Sequence, residues 1–270
     1  MKRDSIVKVP AYRTLMSYIM PRRGDSAVFL EVEADVGKTQ EFIKRFNEHS
    51  SGKITIFYVF LYSIFKGLVR HPELNRYIRG KRVYQRGEIC IAFSMKVEKT
   101  VESPMREVKL RFDADMNFDS FIEYVRRSIE EARSGKELDA DKKSEFFSKI
   151  PRLILMAAVK IVFALDFYGL LPQSFVRNDP FFSSVFVTNL GSIGIDAVFH
   201  HLYEYGDCPF FINIGKIYKK PVVREDNQIV IQETLPIRIT FDERIADGFT
   251  ASRGLLFMKD VIENPEKYIQ

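Results

Sequence analysis

The chain is poor in the residues that build metal sites and disulfide frameworks. Its 270 residues include two cysteines, four histidines and no tryptophan. Cys90 and Cys208 are too far apart for a CxxC pair, so neither a zinc ligand set nor a disulfide scaffold is expected. A chain of this length buries enough apolar surface to fold without such cross-links.

The chain also lacks a strong charge imbalance and a secretory signal. The 41 lysines and arginines against 36 acidic residues leave a net charge of +5, and the basic residues form no block. Nucleic acid is therefore not an expected partner. The charged N-terminus is not followed by an apolar core with a cleavage site, which favours a cytoplasmic, reducing location.

Two apolar runs stand out, and neither has the pattern of a membrane span. Residues Ile54 to Phe65 are too few to cross a bilayer and are predicted to form a buried element that ends at Arg70, before His71-Pro72. The segment Leu153–Leu171 is long enough but contains Lys160 and Asp166. We interpret it as a packed helix or a subunit contact, with weak contact to a membrane surface as the alternative.

Hydrophobic periodicity predicts a mixture of strands and helices without a regular βαβ repeat. Alternation predicts a strand over Ala27–Asp35, whereas helical spacing predicts helices over Thr39–Glu48 and from Phe118, with Asn117 as its N-cap. Other expected elements are a strand, turn and strand over Arg82–Val97, strands over Ser183–Leu190 and Phe210–Lys216, a hairpin over Val222–Thr240 that turns at Asp226-Asn227, and a helix over Ser252–Glu263.

This order of elements indicates an α+β class, a two-layer sandwich with a mixed sheet. The chain is expected to form a single domain over residues 1–270. The composition shifts only over residues 136–180, which we interpret as a helical insertion.

Common catalytic motifs are missing. Gly191-Ser192-Ile193-Gly194 has neither the GxGxxG nor the GxxxxGK[ST] spacing, and the sequence contains no GxSxG and no HExxH. The most informative stretch is Phe241 to Gly248, where a strand ends in charged residues and a glycine precedes a helix. On spacing alone, its simplest interpretation is structural, with a salt bridge between Arg244 and Asp247.

Three motifs in order give the chain a family resemblance. They are His71-Pro72-Glu73-Leu74-Asn75, then Phe186 to Ser192 (FVTNLGS), then Phe241 to Gly248 (FDERIADG) followed by Glu263-Asn264-Pro265-Glu266. The chain resembles the catalytic domain of the dihydrolipoamide acyltransferases of 2-oxoacid dehydrogenase complexes, and more distantly chloramphenicol acetyltransferase. Only 26 residues precede Ala27, too few for a lipoyl domain. In this respect the chain resembles stand-alone members of the family, which lack that domain.

The resemblance implies a chloramphenicol acetyltransferase-like fold, a homotrimer and acyl transfer from coenzyme A, a cosubstrate that is not covalently bound. It implies that Thr188 stabilises the oxyanion, that Asp247 makes a structural ion pair, and that Asn189, Gly191 and Ser192 belong to the cofactor-binding segment. The family places its histidine base where this chain has Glu243, and its trimer implies that Glu243 of one subunit faces Thr188 of the next. The activity implied is therefore an acyltransferase whose base is altered and whose acceptor is unknown.

Several alternatives stay open at this stage. His200 and His201 follow the second motif in a loop that the family uses near its substrate channel, and one of them could supply an imidazole. Otherwise they are ordinary loop residues. Arg13 lies where the family keeps a basic residue, but we assign it no role. The second functional hypothesis is a catalytically silent trimeric scaffold or acyl-CoA binding protein.

Overall fold

A computed structural model describes residues 4–50, 52–97, 100, 103, 105–134 and 150–269. Residues 136–149 of the predicted insertion lie outside the described residues. The helices are α1 (Ala11–Ile19), α2 (Gly37–His49), α3 (Ile56–Arg70), α4 (Phe118–Arg133), α5 (Arg152–Tyr168), α6 (Gln173–Asn178) and α7 (Gly248–Glu263). The strands are β1 (Ser5–Ile6), β2 (Ala27–Asp35), β3 (Arg76–Arg79), β4 (Arg82–Gln85), β5 (Ile89–Lys96), β6 (Met105–Phe112), β7 (Val185–Asn189), β8 (Phe210–Ile214), β9 (Tyr218–Val223) and β10 (Ile229–Asp242).

A mixed seven-stranded sheet forms the centre of the fold. Its strand order is β2-β10-β8-β7-β5-β6, with β9 paired to the first half of β10. β7 runs parallel to both β5 and β8, and the other pairs are antiparallel. A smaller sheet of order β1-β4-β3 lies beside it. The predicted α+β class with a mixed sheet is confirmed.

The two faces of the large sheet have different coverings. The inner face packs against α2, α3, α4 and α7 and contains the main core, including Val185, Val187, Ile212 and Ile239. The outer face carries the alternate residues of the same strands, and its small apolar cluster contains Ala92, Phe186, Leu202, Cys208 and Phe211. Because side chains alternate along a strand, one face is core and the other is available for other contacts.

Most predicted elements are confirmed. Helix α3 contains the apolar run and ends at Arg70, and Asn117 caps α4 by accepting a hydrogen bond from Ser120 N. Asn227 has φ 62° in the turn between β9 and β10, as expected of a tight hairpin turn. The last helix begins four residues earlier than predicted, at Gly248, because Asp247 acts as its N-cap.

Helix α5 is only partly covered by its own chain. It contains no buried residue, although it is apolar on nearly every side, so only the helical part of the prediction is confirmed. It is attached by Asp166, whose Oδ1 lies 3.6 Å from Nε of Arg79, while Nη2 of Arg79 donates to the buried Asp207 at 2.8 Å. No helix among the described residues has the length and apolarity needed to cross a membrane.

The attachment of α5 is expected to depend on pH. Burial raises the pKa of Asp166 to about 6 from 3.8, although the Arg79 guanidinium opposes this shift. The native state therefore binds the proton more tightly than the unfolded chain, and between the two pKa values this group makes the free energy of unfolding fall as the pH rises. Asp166→Asn should thus be more stable relative to the unmodified chain at pH 7.5 than at pH 5, measured by urea unfolding. The same difference at both pH values would contradict this prediction.

Candidate active site

A buried ion pair organises the loop that follows β10. The carboxylate of Asp242 accepts hydrogen bonds from Nε and Nη2 of Arg244, at 2.8 and 2.6 Å, and from the Ser26 hydroxyl at 2.9 Å. Asp242 is only 1% exposed. The predicted Arg244–Asp247 salt bridge is therefore wrong, because Arg244 pairs with the strand residue two positions before it.

Glu243 lies between the two members of this ion pair. Its backbone N–H donates to the carbonyl of Ser26 at 3.0 Å, which fixes the main chain beside the start of β2. The residue is partly exposed, and its carboxylate has no hydrogen bond or ion pair with any other described residue. The loop thus holds Glu243 in place through its backbone and leaves its carboxylate available.

Asp247 has two structural partners. Its Oδ1 accepts a hydrogen bond from Thr250 N at 2.8 Å, which caps α7, and its Oδ2 lies 3.1 Å from Nη2 of Arg13. The hydrogen bonds from Thr250 lower the pKa of Asp247, and the charge of Arg13 adds to this effect. Arg13, to which the sequence assigned no role, supplies the cation for the loop and is itself buried in α1.

Thr188 lies on the outer face of the sheet, in β7. Its Oγ1 is inaccessible to solvent and has no hydrogen-bond partner among the described residues. A buried hydroxyl without a partner costs about 1–3 kcal/mol. The Thr188 hydroxyl is therefore free to donate a hydrogen bond to an oxyanion.

The segment after Thr188 is shaped by its own hydrogen bonds. Asn189 Oδ1 accepts from Ser192 N at 3.0 Å, and the Ser192 hydroxyl donates to the Asn189 carbonyl at 2.9 Å. A Cβ on Gly191 would lie 2.3 Å from the carbonyl oxygen of Gly215, so only glycine fits there. These contacts explain the motif structurally, and cofactor binding by Asn189, Gly191 and Ser192 stays a prediction.

Strand register separates Thr188 from Glu243 within one chain. Thr188 pairs with Asn213 of β8, and Asn213 pairs with Arg238 of β10. Asp242, the last residue of β10, is four residues beyond Arg238. With about 3.4 Å per residue and about 4.8 Å between strands, it lies roughly 17 Å from Thr188. One chain alone therefore does not bring the two predicted catalytic residues together.

The two histidines pack on the outer face, on the same side of the sheet as Thr188. The ring of His200 stacks on Phe211 with centroids 4.0 Å apart, and its Nδ1 lies 2.7 Å from the His201 carbonyl. A proton on Nδ1 would donate to that carbonyl and leave Nε2 as an acceptor. His201 is exposed and stacks on His200.

Two polar residues beside Thr188 escaped the sequence analysis. The amide of Asn213 donates from Nδ2 to the Val198 carbonyl at 2.8 Å, and Arg238 pairs with Glu31 at 2.8 Å. The alternation of Arg238 and Thr240 with Ile237 and Ile239 marks the outer face and could have revealed Arg238, whereas Asn213 lies in the otherwise apolar strand β8. Within the described residues, no group of three histidine, cysteine or acidic side chains is arranged to hold a metal ion.

The chain is similar to known proteins in part of its sequence and in its fold. Residues 178–270 match the model of the 2-oxoacid dehydrogenases acyltransferase (catalytic domain) family. The match covers about a third of the chain, so it shows that this part is similar to the family's catalytic domain. The predicted recognition of the family and its chloramphenicol acetyltransferase-like fold is thereby confirmed.

Two sequence relatives are dihydrolipoyllysine-residue acetyltransferase components of pyruvate dehydrogenase complexes. One from Acholeplasma laidlawii is 39% identical over 79 residues, which cover 29% of this chain and 14% of the relative. One from Staphylococcus epidermidis is 24% identical over 268 residues, which cover 97% of this chain and 52% of the relative. The chain thus spans about half the length of the second relative and much less of the first.

Solved structures match over almost the whole chain. The cubic core of the pyruvate dehydrogenase multienzyme complex has a TM-score of 0.63 at 16% identity and covers 97% of this chain and 93% of that chain. Chloramphenicol acetyltransferase has a TM-score of 0.55 at 15% identity and covers 96% and 99%. At these identities the likeness establishes the fold.

The double role of Asp247 can be separated by substitution. Asp247→Asn keeps a side-chain oxygen for the cap but loses the charge that faces Arg13, and because this carboxylate is half-exposed we expect a loss of about 0.5 kcal/mol. Asp247→Ala loses the cap as well, for about 1 kcal/mol more. Urea unfolding measures both, and Asn117→Ala at the cap of α4 is the matched control without an ion pair. Equal losses for the two Asp247 variants would contradict the capping role.

Proposed function

We propose that this chain is a coenzyme A-dependent acyltransferase whose site is shared between two copies, with Glu243 from one and Thr188 from the next. The observation that carries the proposal is the buried, unpartnered hydroxyl of Thr188 within a family signature. The partly exposed carboxylate of Glu243, held by its backbone beside a buried ion pair, supplies the second group.

The proposed reaction transfers an acyl group from coenzyme A to an acceptor thiol or hydroxyl. The carboxylate of Glu243 accepts the proton of the acceptor's thiol or hydroxyl as that group attacks the thioester carbonyl of acyl-CoA. The Thr188 hydroxyl donates a hydrogen bond to the resulting oxyanion. Collapse of the tetrahedral intermediate breaks the carbon–sulfur bond, and the coenzyme A thiolate takes the proton from Glu243. The acceptor and acyl group are not specified.

The shared site requires self-association, and a homotrimer is the assembly that we propose. Strand register places Asp242, the neighbour of Glu243, roughly 17 Å from Thr188 within one chain, so a second copy has to supply one of the two groups. A structure of the same fold is described as the cubic core of a multienzyme complex, which supports assembly through copies of such a domain. A cytoplasmic location, and a weak contact of Leu153–Leu171 with a membrane surface, also stay proposals.

The alternative function is a catalytically silent trimeric scaffold or acyl-CoA binding protein. It is favoured by the carboxylate at position 243, because loss of an imidazole base costs about 10² to 10⁴ in rate. The alternative keeps the fold and the framework of Asp242, Arg244 and Asp247 but assigns no proton transfer to Glu243.

Binding of coenzyme A is the first outcome to measure. We expect calorimetric titration with coenzyme A and with acetyl-CoA to show one site per chain with a Kd of about 100 μM or tighter, equivalent to about −5.5 kcal/mol. The Thr188→Ser variant should bind alike because it keeps the hydroxyl. If titration gives no heat and coenzyme A causes no thermal shift, the acyltransferase proposal and the acyl-CoA binding proposal are both contradicted. The silent scaffold would then be the function that agrees with the result.

A mixing experiment tests the shared site. Once an acceptor screen with acetyl-CoA has given turnover, Glu243→Gln and Thr188→Ala should each lower it by at least about 10²-fold, since each removes one of the two groups. A refolded one-to-one mixture of these variants should regain about one quarter of the original rate, because each shared site has an even chance of receiving each intact residue.

Matched controls make the mixing result specific. Glu225→Gln alters a carboxylate on the exposed hairpin and should leave the rate unchanged, and Thr188→Ser should retain most of it. A mixture that stays inactive would contradict a site shared between copies. If Glu243→Gln and Glu243→His both leave the rate unaltered, Glu243 is not the base.

A further inference from the structure

Two helices far apart in sequence expose apolar side chains, and the C-terminal ends of both reach the turn between β3 and β4. Helix α5 exposes Leu153, Ile161 and Tyr168, which are 79%, 59% and 72% exposed. Helix α1 exposes Tyr12, Leu15 and Ile19. We call these six residues the α1–α5 surface.

The amphipathic helix α1 is inverted relative to a helix on an aqueous surface. It turns Arg13 and Ser17 into the protein, where Arg13 pairs with Asp247, and it turns its apolar side to the outside. Helices of water-facing proteins bury the apolar side instead. The inversion indicates that a non-aqueous phase or a partner covers this side of α1.

The β3–β4 turn brings the C-terminal ends of the two helices together. A Cβ on Gly80, which has φ 54°, would lie 2.7 Å from the carbonyl oxygen of Phe167, so the end of α5 rests on this glycine. The next residue, Lys81, donates from Nζ to the carbonyl of Ser17 in α1 at 2.9 Å. The Asp166–Arg79 ion pair fixes α5 against the same strand.

The charges around α5 suit an anionic surface. Between residues 150 and 178 the exposed charges are Arg152, Lys160 and Arg177. The one carboxylate there, Asp166, is turned towards Arg79, with its side chain 16% exposed. A twofold contact between α5 and the same helix of a second copy would place like charges against each other. Anionic lipid headgroups are complementary to them.

The length of α5 fits a helix that lies along a bilayer. Its 17 residues extend about 26 Å, whereas a span needs about 20 apolar residues. Tyrosines at positions 12 and 168 have the apolar ring and polar hydroxyl that favour the headgroup level. Lys160 has a stem long enough to reach the headgroups from an apolar surface.

We propose that the α1–α5 surface docks this protein onto the face of an anionic lipid bilayer without crossing it. The two helices insert their exposed apolar side chains at the level of the headgroups, and the basic residues of α5 and α6 contact the lipid phosphates. The proposal is independent of the acyl-transfer chemistry. A soluble protein partner or a second copy on the same surface is the competing outcome.

Flotation of the purified full-length chain with vesicles tests the proposal. We expect the chain to float with vesicles of phosphatidylcholine and phosphatidylglycerol, at least tenfold more than with phosphatidylcholine alone, and increasingly so at low salt. Ile161→Glu and Leu15→Glu should each lower the floated fraction at least tenfold. Lys160→Glu should weaken binding to the anionic vesicles only.

The control uses an equally exposed apolar residue elsewhere. Ile229→Glu, on the β9–β10 hairpin at 72% exposure, should leave flotation unchanged. Circular dichroism of each variant shows that the fold is intact. A chain that stays with the supernatant at every lipid composition overturns the proposal, as does equal loss of flotation in Ile229→Glu. If Ile161→Glu instead reduces the molar mass of an assembly that ignores vesicles, the surface is a contact between copies.

Discussion

The buried ion pair between Asp242 and Arg244 connects more of the structure than any other polar contact near the candidate site. Asp242 accepts from the Ser26 hydroxyl at the start of β2, and Arg244 donates from Nη1 to the Met20 carbonyl just beyond α1. The pair thus joins α1, β2, β10 and the loop that leads to α7. Because a broken buried pair leaves an uncompensated charge and costs about 3–5 kcal/mol, this loop has little freedom to rearrange. The position of Glu243 is fixed because the loop that contains it is rigid.

The second constraint is the alternation of the sheet. Each of the strands β5, β7, β8 and β10 contributes one set of side chains to the helical core and the other set to the outer face. The main core accounts for the stability of the domain, whereas the outer face holds Thr188, Asn213 and Arg238 together with the loop of His200. The chemistry that we propose therefore uses residues that the core does not need. This separation lets one fold carry different groups at position 243.

Local sequence patterns predicted the helices and strands well. They did not predict contacts between residues that are far apart in the sequence. Alternation over Ala27–Asp35 and helical spacing from Phe118 depend on neighbours within a few residues, so the sequence contained the information. The Arg244–Asp247 pair was wrong because a spacing of three residues says nothing about a strand residue that is closer in space. The partner of Asp247, Arg13, is 234 positions away. The family resemblance predicted the fold and a site shared between subunits, and the register of β7, β8 and β10 adds a distance between Thr188 and the end of β10 within one chain.

Composition alone could not show what covers helix α5. An apolar run predicts burial, and the sequence favoured a packed helix, yet no residue of α5 is buried by the described part of the chain. The same apolar character that would have made α5 a core helix makes it costly in water. Full burial of a large apolar side chain contributes roughly 1.5–3 kcal/mol, which each exposed side chain of α5 forgoes. Helix α1 exposes further large apolar side chains. Both the separation of the proposed catalytic residues and the uncovered helices are consistent with further contacts that the isolated chain does not make. The first requires another copy of this protein, whereas the second, with its basic charges, is better matched by lipid.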